Sequence, residues 1–244
     1  MKLLGGVCAA AMLFAAPAAF AANVAVQSTT DIFLASQPVG TTITGYFGSD
    51  SVTTNPATNN APVQIGVAGG NVLTFSASGS TSVDDSCFAG PDGGCYGDES
   101  SFSPSPAGGT YKGPSDALIG VFLGNGVTTV ANGPPSLNYT KAANISRPAY
   151  HPGLNQIFFI GDGLTGTGTG STQDFIAPAG ATNLYIAVAD SYGSSTGNEG
   201  SLNVTYNIGT AAVPEPSTWA VMAVGLLALG AMTRNARRKQ ALVA

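Results

Sequence analysis

The sequence predicts an all-β fold, an antiparallel β-sandwich of jelly-roll type, on three observations. Away from its two ends the chain is rich in Gly, Thr, Ser, Asn and Val and poor in Leu, Lys and Glu, so helix formers are scarce. Short runs of β-branched and aromatic residues recur between turn signals. Two of them, Val72-Leu73-Thr74-Phe75-Ser76 and Leu202-Asn203-Val204-Thr205-Tyr206, alternate with the period of two expected of half-buried strands.

Taken in order, the chain opens on a segment that reads as an export signal. Met1-Lys2 is a positive start, residues 3–14 are an apolar core, and Ala19-Phe20-Ala21 fits an A-x-A cleavage site. Residues 1–21 are therefore expected to be a signal peptide, with the mature chain starting at Ala22. Cys8 follows Val7 without a lipobox, which argues against a lipoprotein. Residues 22–60 are expected to contribute N-terminal strands, at 31–35 and 41–47. The main sandwich is placed at 61–210, with strands at 63–67, 71–78, 117–123, 156–160, 173–177, 184–189 and 201–207. Residues 184–189 form a nearly continuous apolar run, as a core strand would. Residues 87–114 and 128–152 read as long loops, the second broken by Pro134-Pro135, Pro148 and Pro152. Long loops in a compact domain are usually functional, and on a sandwich they gather at the ends. A linker at 211–217 ends regular structure, because Pro214 and Pro216 cannot sit inside a helix or central strand. An apolar helix at 218–233 and a basic tail at 234–244 complete the chain.

That tail has a composite signature. Pro214-Glu215-Pro216 precedes an uncharged run from Trp219 to Met232, and Arg234, Arg237, Arg238 and Lys239 follow it. With its flanking residues the run approaches the roughly 20 residues that span a bilayer. The cations beyond it would hold the far end in the cytoplasm. A Pro-Glu-Pro box, a hydrophobic helix and a basic cluster in this order resemble the PEP-CTERM sorting signal. The resemblance covers only the tail. It implies an exported bacterial protein whose partner is an exosortase, anchored in the membrane or delivered to the cell envelope or extracellular matrix. It is silent on what the protein does there.

Charge narrows the function classes. Between the two ends Lys112, Lys141 and Arg147 face twelve acidic residues from Asp31 to Glu199, a balance of −9. Such a surface repels phosphate backbones and anionic lipids, which excludes nucleic acid as a partner, and it suits hard cations such as calcium. Cys87 and Cys95 close a loop around Pro91-Asp92-Gly93-Gly94, and an exported compartment permits the disulfide expected there. His151 is the only histidine, so neither a histidine triad nor a multi-histidine metal site can be built. Asp84, Asp85, Asp98 and Glu99 could pair as glycosidase carboxylates, but clustered acids on turn-rich loops are usually solvated. Gly161-Asp162-Gly163-Leu164-Thr165-Gly166 has dinucleotide-loop spacing, yet Thr167-Gly168-Thr169-Gly170 follows instead of the helix that a phosphate would need. The chain is not expected to be an enzyme.

The most informative internal segment is LYIAVADSYGSSTGNEGSLNVTYNIG, residues 184–209, which reads as strand, acidic loop, strand. Asp190, Asn198 and Glu199 supply oxygens among the glycines 193, 197 and 200. Calcium selects carboxylate, amide and main-chain oxygens, usually six to eight of them. An ordinary hairpin loop with Asp190 capping a turn accounts for the same spacing.

Residues from about Ala61 to Gly209 also resemble the calcium-dependent galactose-binding bacterial lectin fold. The matching pieces are Gly69-Gly70-Asn71-Val72-Leu73-Thr74-Phe75, Gly90-Pro91-Asp92-Gly93, Asp116-Ala117-Leu118-Ile119-Gly120, Ala177-Pro178 and residues 184–209. The resemblance implies a calcium site in which Asp190 gives a carboxylate, Ser194 a main-chain carbonyl, Asn198 an amide oxygen and Val83 a carbonyl from an earlier strand end. Gly197 stands where the family has a further side-chain ligand, so Glu199 or water would replace it. The family's sugar-holding His and Gln are missing from residues 87–114, so galactose specificity does not carry over. Asp190, Tyr192 and Tyr111 are the candidate carbohydrate contacts, the tyrosines by stacking on a sugar face. Two functions compete: a calcium-holding module that binds extracellular polysaccharide, and a structural matrix or surface component with no sugar site.

Overall fold

The computed structural model describes residues 21–45, 51–55, 60–83, 86–95, 101–102, 111–126, 134–210, 222 and 224–227. The chain divides into two compact units, Met1–Gly209 and Thr210–Ala244. In the second, Met222 and residues 224–227 are helical and exposed. The sorting residues Pro214, Glu215 and Pro216, the rest of the 218–233 run and the basic cluster lie outside the described residues, as do residues 1–20 of the signal segment. Among the described residues no helix is long and apolar enough to cross a membrane.

The first unit is a two-sheet β structure. Its strands are β1 (Ala21–Gln27), β2 (Thr42–Thr44), β3 (Ser51–Thr53), β4 (Val63–Gly66), β5 (Asn71–Ser82), β6 (Ser101–Phe102), β7 (Tyr111–Lys112) and β8 (Leu118–Gly124). After the one-turn helix α1 (Ala142–Ile145) come β9 (Ala149–Tyr150), β10 (Ile157–Phe159), β11 (Leu164–Gly166), β12 (Thr169–Thr172), β13 (Asp174–Ile176), β14 (Ala181–Val188) and β15 (Glu199–Thr210). The larger sheet has the order β1-β15-β5-β13-β9 and the smaller β10-β8-β14-β4. Short two-stranded ribbons, β2-β3, β6-β7 and β11-β12, decorate them.

Hydrophobic pattern sorts the strands between the sheets. β8 is buried from Leu118 to Leu123, and β14 from Leu184 to Val188, so both lie central in the smaller sheet. Strands this uniformly apolar cannot show one face to water. In β5, Leu73 and Phe75 turn inward and Ser76 outward, the alternation of a half-covered strand. Aromatic side chains fill the space between. Phe175 of β13 is fully buried, meeting Phe75 edge-on at 5.2 Å, stacking on Tyr150 at 5.1 Å and lying 5.8 Å from Phe158 of the other sheet.

Four features differ from the sequence reading. Residues 31–35 are not a strand but a 3₁₀ turn, Ile32–Leu34, because the Asp31 carboxylate accepts from Phe33 N at 2.9 Å and caps it. An unforeseen strand, β1, pairs with β15 over seven residues, from Ala21 opposite Asn207 to Gln27 opposite Ser201. Its alanine-rich sequence has little strand propensity and abuts the expected export signal. Of residues 22–60, β1 thus belongs to the larger sheet with later strands, while β2 and β3 pair with each other. The sandwich is also not wholly antiparallel, since β13 runs parallel to β9. Between them the chain crosses to the smaller sheet as β10 and turns through β11 and β12, and that excursion allows the parallel return. Finally, the glycine-rich stretch after Ile160, expected to lack a helix, does so, but it is a paired β11-β12 hairpin and not an open loop.

Candidate functional site

The loop between β14 and β15, residues 190–198, is fastened by the N-terminal segment that follows β1. Asn198 is buried, and its amide nitrogen donates to Ser28 O at 3.1 Å and to Asp190 Oδ2 at 2.8 Å. The hydroxyl of Ser195, also buried, donates to Thr29 O at 2.8 Å. Gly193 N donates to Asp31 Oδ2 at 2.9 Å, and the Thr196 hydroxyl to Ser51 O at 3.0 Å. Asp190 Oδ1 accepts from Ser191 N, turning the chain as it leaves β14. The loop is thereby tied to parts of the chain 145 to 170 residues away.

Two carboxylates face this loop. Asp31 is buried, and desolvation pushes its carboxyl up to about 7. The N–H groups of Phe33 and Gly193 pull the other way, while the charge on Asp190 adds to the rise. Asp31 was not a candidate from sequence, because its role comes from contact with Gly193, 162 positions on. The side-chain oxygens of Ser28 and Ser194 are buried here without a hydrogen-bond partner among the described residues.

Of the residues expected in a calcium site, the structure joins Asp190 to Asn198 and puts Ser194 in the same loop, where its N–H donates to Ser191 O at 3.1 Å. Glu199 begins β15 exposed, and Val83, half-buried, follows the last residue of β5. The residues fit a hard cation in part. Turning the Asn198 amide by half a rotation replaces its nitrogen with oxygen beside Asp190 Oδ2 and Ser28 O. That arrangement would offer three oxygens, of the type calcium takes. As it stands, however, the Asn198 nitrogen already satisfies both acceptors.

The expected sugar contacts change. Tyr111 is 1% exposed and stacks on Tyr139 at 5.8 Å inside the core, so its ring offers no face to a ligand. Burial drives its phenol well above the ordinary value. Tyr192 is half-buried and meets Phe33 edge-on at 5.1 Å. Among the described residues Phe88 is an exposed aromatic, at 53%; a lone Phe in a loop carries no sequence pattern. Its neighbour Ala89 bridges Thr81 near the end of β5, the strand beside β15. The loop bearing it is closed by Cys87 and Cys95, whose sulfurs are bonded with Cα atoms 5.7 Å apart. Asp84, Asp85, Asp98 and Glu99 lie outside the described residues.

Comparison with known families adds one finding and one absence. No curated protein matches the chain. Residues 212–239 match the family profile described as the PEP-CTERM protein-sorting motif, which supports an exported, exosortase-sorted protein of the cell envelope.

Proposed function

We propose that this exported envelope protein is a calcium-holding, lectin-like jelly-roll that recognises extracellular carbohydrate at the end of the sandwich bearing residues 190–198. The observation that carries the reading is the convergence of Asp190, Asn198 and the Ser28 carbonyl, while the hydroxyls of Ser28 and Ser194 are buried without a partner among the described residues. Calcium would supply charge to neutralise Asp31 and Asp190 and free valences for sugar hydroxyls. Asp190, Tyr192 and the exposed Phe88 would meet the sugar.

Thermal unfolding of the full chain in detergent, with excess Ca²⁺ and with chelator, tests it. A ligand held only by the folded state raises the midpoint, by about 2.7 kcal/mol in stability at a hundredfold excess over Kd. The rise should vanish in Asp190→Ala and grow in Gly197→Asn, which restores the missing side-chain oxygen at a position of φ +92° that Asn tolerates. A midpoint indifferent to calcium in the parent chain would overturn the reading. The second reading, a structural matrix component, is favoured by the hydrogen bonds that already satisfy Asn198 without an ion.

A further inference from the structure

The folded body concentrates its positive charge in one corner. Between Ala22 and Thr210 its bases are Lys112, Lys141 and Arg147, and His151 is its one histidine. Lys112 O accepts from Tyr139 N at 2.7 Å, Lys141 precedes α1, and Arg147 and His151 flank β9. A cavity of about 230 Å³ opens here, its walls including Leu137, Tyr139, Arg147, Tyr150, His151 and Gln156. It belongs to the β9 edge of the larger sheet, whereas the segment holding residues 190–198 follows β1 at the opposite edge.

We propose that this cavity binds a carboxylate-bearing sugar, one uronic-acid unit, with its carboxylate on Arg147. The guanidinium is anchored, since its Nη2 donates to Asn144 Oδ1 at 2.9 Å, and among the described residues most of its five N–H donors have no other partner. Among the described residues no carboxylate pairs with it; Asp174, opposite Ala149 on the neighbouring strand, is exposed. A planar guanidinium fork matches a carboxylate in a bidentate way. The rest of the wall is already fixed. The Tyr150 hydroxyl donates to Asn144 O at 2.6 Å, and Gln156 accepts from Gly153 N at 2.8 Å and donates to Pro135 O at 2.6 Å. These groups lend shape, leaving Arg147 and His151 as the polar complement. Leu137, Ala149 and Pro152 give an apolar surface suited to the C–H face of a pyranose. The volume falls below the roughly 300 Å³ at which sites for drug-sized ligands begin, so it suits a single ring. The net-acidic body repels dense polyanions, which favours one charge on a neutral scaffold.

The test is calorimetric titration of the full chain in detergent with D-glucuronate, D-glucose and inorganic phosphate, each with calcium and with excess chelator. Glucuronate should bind equally in both conditions, glucose and phosphate at least tenfold more weakly. Arg147→Gln, an exposed position, should weaken glucuronate at least tenfold with an unchanged thermal midpoint. The proposal is overturned by no glucuronate binding, by phosphate binding as tightly, by binding that needs calcium, or by an Arg147→Gln variant that binds like the parent.

Discussion

Burial strips Asp31 of hydration and the nearby Asp190 adds like charge, so its carboxyl rises from 3.8 to about 7 despite two donated backbone N–H groups. The unfolded chain releases this proton near 3.8, whereas the folded chain keeps it to about 7. Between those values the folded state binds more protons, so Asp31's contribution to stability is full below the lower value and is lost as pH rises through the window. The ceiling on that loss is about 4 kcal/mol. Asp92, also raised chiefly by burial, acts with the same sign. In chelator, the thermal midpoint should therefore fall between pH 4 and pH 7, and Asp31→Asn should flatten the fall. An equally steep profile in the variant would remove Asp31 as its source. Single residues divide by how local their role is. Asp190 and Asn198 could be picked out because their residue types and spacing put them in one loop, where the structure joins them by a hydrogen bond. Asp31 could not, since its partner is remote in sequence, and Tyr111 misled because nothing local records that Tyr139 covers it.

The β14-β15 loop is an element held by others rather than by its own turn chemistry. Gly193 sits at φ +68°, and a Cβ there would lie 2.7 Å from Gly45 N, a backbone atom that cannot swing away. Gly197 has φ +92° with open space around the added carbon. Gly193→Ala should thus combine strain with collision and cost upwards of about 1–3 kcal/mol, while Gly197→Ala meets only the strain. Equal midpoints for the two variants in chemical or thermal unfolding would contradict the clamp between the loop and residues 28–45. Strands with a clear period, such as 72–76 and 202–206, were readable because one face must be buried and the pattern says which. β1 was not, because its strand character comes from the β15 edge that it completes. Nor was the turn at Ile32–Leu34, where a capping carboxylate outweighs β propensity.

At the scale of the whole molecule, two parts of the sequence answer different questions. The proposed calcium and sugar sites belong to the sandwich, whereas the tail carries the sorting motif. Residues 212–239 carry the sorting motif, and its apolar run and its Pro-Glu-Pro box are separable by mutation. Hydrophobicity alone partitions an uncharged run into a bilayer and asks nothing of a receptor. The box carries no such free energy, so its value lies in being recognised. Two variants expressed in the native host should behave differently on fractionation and immunoblotting. Removing residues 212–239 should release the sandwich from the membrane fraction into the soluble exported fraction. Replacing Pro214, Glu215 and Pro216 with alanine should leave the chain in the membrane while blocking any size change that sorting produces. If the triple alanine chain matches the parent in both location and size, the box is not read and the tail is only an anchor. If the truncated chain stays with the membrane, the sandwich itself holds the protein there, and the proposed carbohydrate and cation sites become the first place to look for the attachment.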